Sequence, residues 1–242
     1  MRGCLTWFFL LLAIVLVATW LLAPTVAAAV ISVGLGGAGF ASADKQVTVS
    51  ADPPLQLVAL HADEIHLRAT DATFGGLHMT AVDLTLDGVS LLGRQADSVV
   101  GTLSGVQLPT LLSDDASTAT ISSIALSGPS SDLRAILIVP AADIRTLVSG
   151  AVQGELGSPA TKVTLTAPDK VAVVSSGVSV RGRLVVTGDG GLAFLVASPP
   201  GLVGPLDIIR PGPTEPLRFT GISVRSSGAT ITAIVDPSFF GH

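Results

Sequence analysis

The sequence predicts an α+β chain that is mostly β and antiparallel, preceded by an N-terminal transmembrane helix. Apolar and polar residues alternate in many short runs, such as Glu64–Thr70, and this period of two is typical of half-buried strands. Turn signals such as Gly188–Gly191 separate consecutive runs, and strands joined by short turns pair antiparallel. Gly3–Ala43 contains no charged residue, which sets this segment apart from the rest of the chain.

The apolar stretch Leu5–Ala23 is long enough to cross about 30 Å of hydrocarbon as a helix. Trp7 and Trp20 lie near its two ends, where indole rings favour the membrane interface. Arg2 is the only charge before it and favours a cytoplasmic N-terminus, with the rest of the chain outside. Ala41-Ser42-Ala43 fits a small-x-small cleavage site, so secretion after cleavage near Ala43 stands as the alternative to an uncleaved anchor.

The predicted organisation has three parts. Residues 1–23 form the anchor or signal segment, residues 24–46 a small-residue stalk and residues 47–236 one β-rich domain. The stalk contains the Gly-rich stretch VISVGLGGAGFASA, in which each interior glycine costs a helix about 1 kcal/mol. It also matches G-x-G-x-x-G at Gly34, Gly36 and Gly39, but no helix is predicted directly afterwards, which a dinucleotide site requires.

Strands make up most of the exported part. The alternation in Leu77–Asp87 slips at Ala81-Val82, as it does at a bulge. Several runs, including LRAILIV, KVAVVS and LAFLVA, are apolar on both faces, which predicts cover on both sides. After a first strand from Val47, the predicted strands are Glu64–Thr70, Leu77–Asp87, Ser98–Ser104, Ala119–Leu126, Leu133–Val139, Lys162–Thr166, Lys170–Ser175, Val178–Thr187, Leu192–Ala197, Leu217–Arg225 and Thr230–Val235.

Proline opens three predicted helices, at Pro54–Leu57, Pro109–Leu112 and Pro140–Gly154, because the first helical turn needs no N–H from it. The third helix is the longest, and Asp143 lies in its first turn, where the helix dipole favours a carboxylate. Its apolar residues form one stripe that predicts the buried side. They are Ile144, Leu147, Val148, Ala151 and Val152.

Composition excludes several classes of function. The formal net charge is −5 and no Lys/Arg cluster occurs, so nucleic acid is not an expected partner. Cys4 is the only cysteine, and an intramolecular disulfide is therefore impossible. No G-x-S-x-G elbow, H-E-x-x-H motif or P-loop is present, and the stretch around Ser104 has the wrong spacing. We expect no enzyme activity and no cofactor.

The densest titratable group surrounds one strand, and we interpret it as a solvated face. Glu64, His66 and Arg68 share that face, where the arginine repels a metal ion and is expected to pair with Glu64. A zinc site would need three or four converging ligands. The sequence therefore predicts no metal and no catalytic residue in this group, whose other members are His61, Asp63, Asp71 and His78.

The stretch Val47–Leu92 resembles the LmeA-like phospholipid-binding family of actinobacterial and related cell envelopes. That family typically shows a transmembrane or signal segment, a short strand, a Pro-Leu-x-Leu turn, a V-x-V-x-A strand running into Gly-Gly, and a V-D-L-x-G-V strand. Here the matching residues are Pro54–Leu57, Ile65–Ala69, Gly75-Gly76 and Val82–Val89. The closing hairpin, from Pro216 to Val235, is also similar. This chain departs from the family pattern where the uncharged stalk replaces a charged amphipathic helix.

The resemblance implies a long, strongly curved antiparallel sheet around one or two helices, with an apolar cavity. It implies phospholipid binding in the cell envelope, with lipid and membrane as partners and no known reaction. A structural or adhesive β-domain with a solid core is the alternative, and a glycolipid hydrolase is a third. The lipid-lining candidates are Leu55, Leu57, Ile65, Leu67, Leu84, Leu86, Val163, Leu165, Leu184 and Val186.

Overall fold

A computed structural model describes residues 24–37, 39–74, 77–93, 95–109, 118–198, 204–209 and 217–235. Helix α1 covers residues 24–37 and helix α2 covers Ala141–Leu156, while a short 3-10 helix spans Pro54–Ala59. The strands are β1 Ala41–Ser50, β2 His61–Phe74, β3 Leu77–Ser90, β4 Ser98–Pro109, β5 Thr118–Gly128, β6 Leu133–Pro140, β7 Ala160–Thr166, β8 Lys170–Ser175, β9 Val178–Val186, β10 Leu192–Ser198, β11 Leu206–Ile209, β12 Leu217–Arg225 and β13 Gly228–Val235.

The strands form two antiparallel sheets. The larger sheet has the order β1-β2-β3-β4-β5-β6-β13-β12, and the smaller one has the order β11-β10-β9-β8-β7. Most neighbours follow each other in the chain because tight hairpins such as Gly188–Gly191 connect them, as the turn signals predicted. The prediction of a mostly β, antiparallel fold is therefore confirmed. Its division into two sheets, with β13 returning beside β6, was not predicted.

Five strands of the larger sheet change face along one transverse line. At this line the strand pairing skips one opposed pair of residues, or two pairs between β3 and β4, and then resumes in the same register. Asp71 and Gly105 have positive φ there, at 50° and 57°. Buried residues are consequently three apart across the line, for example Met79 and Val82 in β3. We call this line the transverse bend; its residues are Ala43, Asp71, Thr80, Gly105 and Ser122.

Helix α2 lies between the two sheets and closes the core. Pro140 is its N-cap residue, Asp143 lies in its first turn, and Gly157 ends it in a left-handed conformation. The helix contacts β5, β6 and β13 of the larger sheet and β7 and β11 of the smaller one. The predicted apolar stripe is confirmed, since Ile144 and Val148 are fully buried with Val152, while Leu147 and Ala151 pack against the same cluster.

Residues 24–46 do not form the predicted stalk. Residues 24–37 are helical, and Ala41 onward belongs to β1, which therefore begins before Val47. The helix forms despite its glycines because Ala27, Ala28, Ile31 and Leu35 pack against the core, and such packing routinely outweighs intrinsic propensity.

Two predicted helices fall wholly or mostly outside the described residues. They are the transmembrane helix Leu5–Ala23 and, apart from its first residue, the helix at Pro109–Leu112. Among the residues that the structure describes, no helix has the length and hydrophobicity needed to cross a bilayer.

The transverse bend requires a residue without a side chain at position 105, and this requirement can be tested. A left-handed conformation costs an L-residue about 1–2 kcal/mol, and a Cβ at Gly105 would lie 2.5 Å from Thr80 Oγ1. We expect Gly105→Ala to lower the free energy of unfolding by about 1–3 kcal/mol. Urea unfolding of the full chain in mild detergent, followed by far-UV circular dichroism, measures this.

Gly150→Ala is the matched control. Gly150 lies inside α2 with open space around its Cα, so the same methyl group meets nothing within 4 Å. Alanine is the better helix former, and we expect a gain of about 0.5–1 kcal/mol. Equal stability of the two variants would contradict the role given to the bend.

Candidate functional site

The face of the larger sheet that meets the core carries continuous apolar rows, and we call it the inner face. Residues directly opposite each other on paired strands lie on the same face. One row contains Leu67 and Leu84, paired with each other, and crosses all eight strands without a polar residue. Its members in sheet order are Val47, Leu67, Leu84, Gly101, Leu126, Ala135, Ala233 and Phe219.

A second, parallel row on the inner face contains one charged residue, Lys45, which binds helix α1. Lys45 of β1 starts the row, and its Nζ donates a hydrogen bond to the Ser32 carbonyl of α1 at 2.8 Å. Helix α1 therefore lies over the inner face at β1. The remaining members of the row are Ala69, Val82, Leu103, Ile124, Leu137, Ile231 and Ile222.

The structure divides the lipid-lining candidates between the two sheets. Ile65 and Leu67 pair with Leu86 and Leu84 on the inner face of β2 and β3. The other strand candidates lie on β7 and β9 of the smaller sheet, where Leu184 pairs with Phe194 of β10. Both groups belong to one apolar cluster that surrounds α2. The candidates on the smaller sheet are Val163, Leu165, Leu184 and Val186.

Exposure separates the candidates into two classes. Some are closed off within the core and others pack against it while retaining contact with solvent. An apolar side chain that is partly exposed offers surface to a ligand without disrupting a packed core. The side chain of Leu55 lies outside the described part of the chain. The closed class is Ile65, Leu67, Leu165 and Leu184. The partly exposed class is Leu57, Leu84, Leu86, Val163 and Val186.

Sequence reasoning missed several residues of the inner face. Val47, Leu103 and Leu126 are partly buried there and continue the rows of Leu84 and Val82. Their alternation within predicted strands was a usable signal, but only the register shows that they are neighbours. Ile31 and Leu35 of α1 were missed because the glycines around them predicted a stalk.

Charged side chains lie on the opposite, outer face of β2 and β3. His66 Nε2 is 2.8 Å from Asp83 Oδ1, and Arg68 Nε is 3.1 Å from Asp83 Oδ2. The expected pairing of Arg68 with Glu64 is therefore wrong, because Asp83 is directly opposite Arg68 on β3. The hydrogen bond from His66, assisted by Arg68, holds the pKa of Asp83 below its ordinary value of 3.8, and local desolvation opposes this shift.

Two shallow depressions also open on outer faces. One, of about 300 Å³, is bordered by Arg68 and Asp83. The other, of about 460 Å³, lies on the smaller sheet and is bordered by Lys170, Arg181 and Arg183. Among the described residues, no group of three or more His, Cys, Asp or Glu side chains is arranged to hold a metal ion.

The fold and the inner face define a class of protein: an antiparallel β-domain whose curled sheets hold helices against a continuous apolar surface. The charged side chains of β2 and β3 lie on the outer face, and Lys45, the one charged residue in the apolar rows, is bonded to α1, so the inner surface is suited to apolar ligands. The chain belongs to the LmeA-like phospholipid-binding family, whose model matches residues 16–234, most of its length. This confirms the resemblance found in Val47–Leu92. No curated protein and no solved structure matches the chain.

The ion pairs at Asp83 give the fold a small pH dependence. Because the pKa of Asp83 is lowered in the folded state, its contribution to stability is present above the pKa of the unfolded chain and is lost as pH falls through the folded pKa. We expect Asp83→Asn to be less stable than the parent at pH 7, with the difference shrinking as pH falls below about 4 and vanishing only below the lowered pKa of the folded state. Urea unfolding at several pH values measures this.

Asp132→Asn is the control on a second exposed pair, in which Arg134 Nη2 lies 3.3 Å from Asp132 Oδ2. Asp132 lacks a histidine partner, so its substitution should lower the stability at pH 7 by less than Asp83→Asn does. A difference for Asp83→Asn that persists unchanged at low pH would contradict the assignment.

Proposed function

We propose that this chain is an extracytoplasmic, membrane-tethered protein that binds phospholipid on the inner face of its larger sheet. The family match over residues 16–234 carries the proposal. Within that family assignment, the apolar rows of the inner face offer the surface on which acyl chains can leave water. Lipid transfer or envelope biogenesis is the role that such binding would serve, and phospholipid and membrane are the partners.

The acyl chains would lie where the inner face is least closed, beneath α1. Val47, Leu84 and Leu86 are partly exposed there, whereas Leu137 and Ile231 farther along the sheet are fully packed. Each buried CH₂ group contributes about 0.8 kcal/mol, so partition alone supplies the driving force. No bond is made or broken in this proposal, and the expected apolar cavity would form as lipid enters.

The tether is the apolar segment Leu5–Ala23, with the N-terminus in the cytoplasm and the domain outside. The position of the candidate cleavage site favours an uncleaved anchor. Ala41 and Ser42 pair with Thr73 and Ala72 inside the ladder of β1 and β2. Cleavage after Ala43 would cut this strand and remove α1, which packs on the core.

A structural or adhesive β-domain with a solid core is the second candidate. The closed packing of Ile65, Leu67 and Leu184 favours it, since these side chains already fill the space that a ligand would need. The two functions differ in whether the protein retains lipid.

Native mass spectrometry of the full chain, released from detergent micelles, tests the proposal. We expect one phospholipid to stay bound to each chain after the micelle has been stripped away. Leu84→Gln combined with Leu86→Gln should lower that occupancy several-fold, because each amide lost from water without a partner costs about 1–3 kcal/mol.

Thr102→Gln is the matched control, because Thr102 lies on the outer face of β4 opposite Asp83. Its lipid occupancy should equal that of the parent chain. A stable parent that retains no phospholipid would favour the structural domain. Equal occupancy in all three proteins would place the lipid elsewhere.

The proposal that the N-terminal segment remains as an uncleaved anchor can be tested separately. The chain recovered from cells should fractionate with membranes and retain Phe40, whose ring lies 6.4 Å from that of Phe74. Cleavage would remove this buried contact together with the contacts of α1, and the free energy of unfolding would fall by several kcal/mol. Intact-mass measurement and N-terminal sequencing check this; a soluble form that begins at Asp44 would overturn it.

A further inference from the structure

Four exposed apolar side chains meet at one end of the larger sheet. Val58 belongs to the 3-10 helix between β1 and β2, and Leu60 follows that helix directly. Leu91 and Leu92 follow β3 at the same end, and the N–H of Leu91 donates to the Leu60 carbonyl at 2.9 Å. This hydrogen bond joins the two connections into a single surface. We call it the tip, and its residues are Val58, Leu60, Leu91 and Leu92.

The exposure of the tip needs an explanation. Val58 is 69% exposed and Leu92 is 77% exposed, more than most other large apolar side chains in the described part of the chain. Exposed apolar residues are unremarkable when scattered, but a contiguous group at one end marks an interaction surface. The inner face does not use these side chains, because they point away from the core.

Leu60 adds an independent observation. Its backbone is left-handed, with φ 57° and ψ 36°, a conformation in which a bulky residue is an outlier. The N–H of Leu60 donates to the Leu57 carbonyl at 3.1 Å, so the conformation ends the 3-10 helix. Glycine or asparagine would do this without strain. Leucine here places a large apolar side chain at the surface at a conformational cost.

The direction of α1 identifies what covers the tip. The N–H of Phe40 donates to the Leu35 carbonyl at 2.9 Å, so the chain turns sharply between α1 and β1. Lys45, five residues farther along β1, still reaches the Ser32 carbonyl of α1. Helix α1 therefore folds back along β1, and its N-terminal end points toward Ser50. The tip lies at that same end, immediately beyond β1.

The chain before α1 contains the predicted transmembrane segment Leu5–Ala23. Because the N-terminal end of α1 points toward the tip, a membrane that held the preceding anchor would face Val58 and Leu92. Acidic Asp52 and Asp63 flank the 3-10 helix in the chain, and the backbone N–H of Asp52 donates a hydrogen bond to the Asp63 carboxylate. These carboxylates would repel anionic headgroups, so a contact of the tip with a membrane would depend on apolar insertion.

We propose that the tip is a membrane-docking surface that inserts into the bilayer beside the anchor and orients the inner face toward its lipid source. This inference rests on the membrane tether of the proposed function. Docking is apolar, so zwitterionic phosphatidylcholine suffices and added salt does not release the tip.

The experiment uses the full chain in nanodiscs of phosphatidylcholine, with Cys4→Ser to leave single introduced cysteines. A nitroxide label is attached at Val58→Cys or Leu92→Cys, and its collisions with oxygen and with a water-soluble nickel chelate are measured by electron paramagnetic resonance. Thr73→Cys, exposed at the other end of β2, and Val178→Cys, exposed on the smaller sheet, are the matched controls.

We expect the oxygen-to-nickel accessibility ratio to be several-fold higher at both tip sites than at the controls, at low and at high salt. A ratio at the tip equal to that at Thr73 would overturn the proposal. Protection from both reagents would overturn it in favour of a protein partner or a second copy of the chain.

Lipid retention by mass spectrometry is scored separately. Retained lipid with a water-exposed tip refutes docking and leaves the proposed binding intact. An inserted tip without retained lipid supports docking and refutes lipid binding at the inner face.

Discussion

The larger sheet buries apolar side chains on both sides of the transverse bend because five of its strands, β1 to β5, change face together there. In a regular strand, residues an odd number apart lie on opposite faces. Met79 and Val82 are three apart and are both buried. A slip in β3 alone would break its register with β2 and β4. Here Asp71 and Gly105 absorb the same change in those neighbouring strands, so pairing resumes in the same register beyond the bend.

The bend explains how one sheet presents a single apolar surface to two helices. Helix α2 is enclosed between the sheets, and Val148 and Val152 are fully buried. Helix α1 covers only the β1 side of the inner face, with Ala27 and Ala28 as its small contact residues. The two helices therefore do different work: α2 closes the core permanently, whereas the surface under α1 keeps exposed area at Leu84.

The strands whose sequences are apolar on both faces differ in how many of their faces are buried. In β10, consecutive residues Leu192, Ala193 and Phe194 are all buried, as two-sided cover predicts. In β6, the outward residues Ile136 and Ile138 remain exposed, so the expectation was wrong for that strand. Composition shows that a strand could be covered on both sides. It does not show which of its faces has a neighbour, because that depends on how distant segments pack.

Sequence patterns predicted most individual strands and helices, but they did not predict the packing between segments distant in the chain. Alternation located most strands, and the apolar stripe located α2, because both patterns are set by backbone period. Strand β11 was missed because Leu206–Ile209 is too short to show alternation. Helix α1 was missed because its stability comes from packing. For the site, alternation found Leu84 and Leu86, but their partial exposure depends on how distant segments pack and could not be predicted.

In the proposed function, a phospholipid at Leu84 and Leu86 would lie beside α1, which is held at β1 by the hydrogen bond from Lys45 to Ser32. The side chains by which α1 packs on the core are the small Ala27 and Ala28 in its N-terminal half and the larger Ile31 and Leu35 in its C-terminal half. In the proposed function, each CH₂ group of an acyl chain that is buried on this surface would contribute about 0.8 kcal/mol toward displacing α1. The hydrogen bond from Lys45 to Ser32 holds the C-terminal half of α1, so its N-terminal half would yield first. That half points toward the tip, so under the two proposals the end of the helix nearest the membrane would also be the end at which lipid enters.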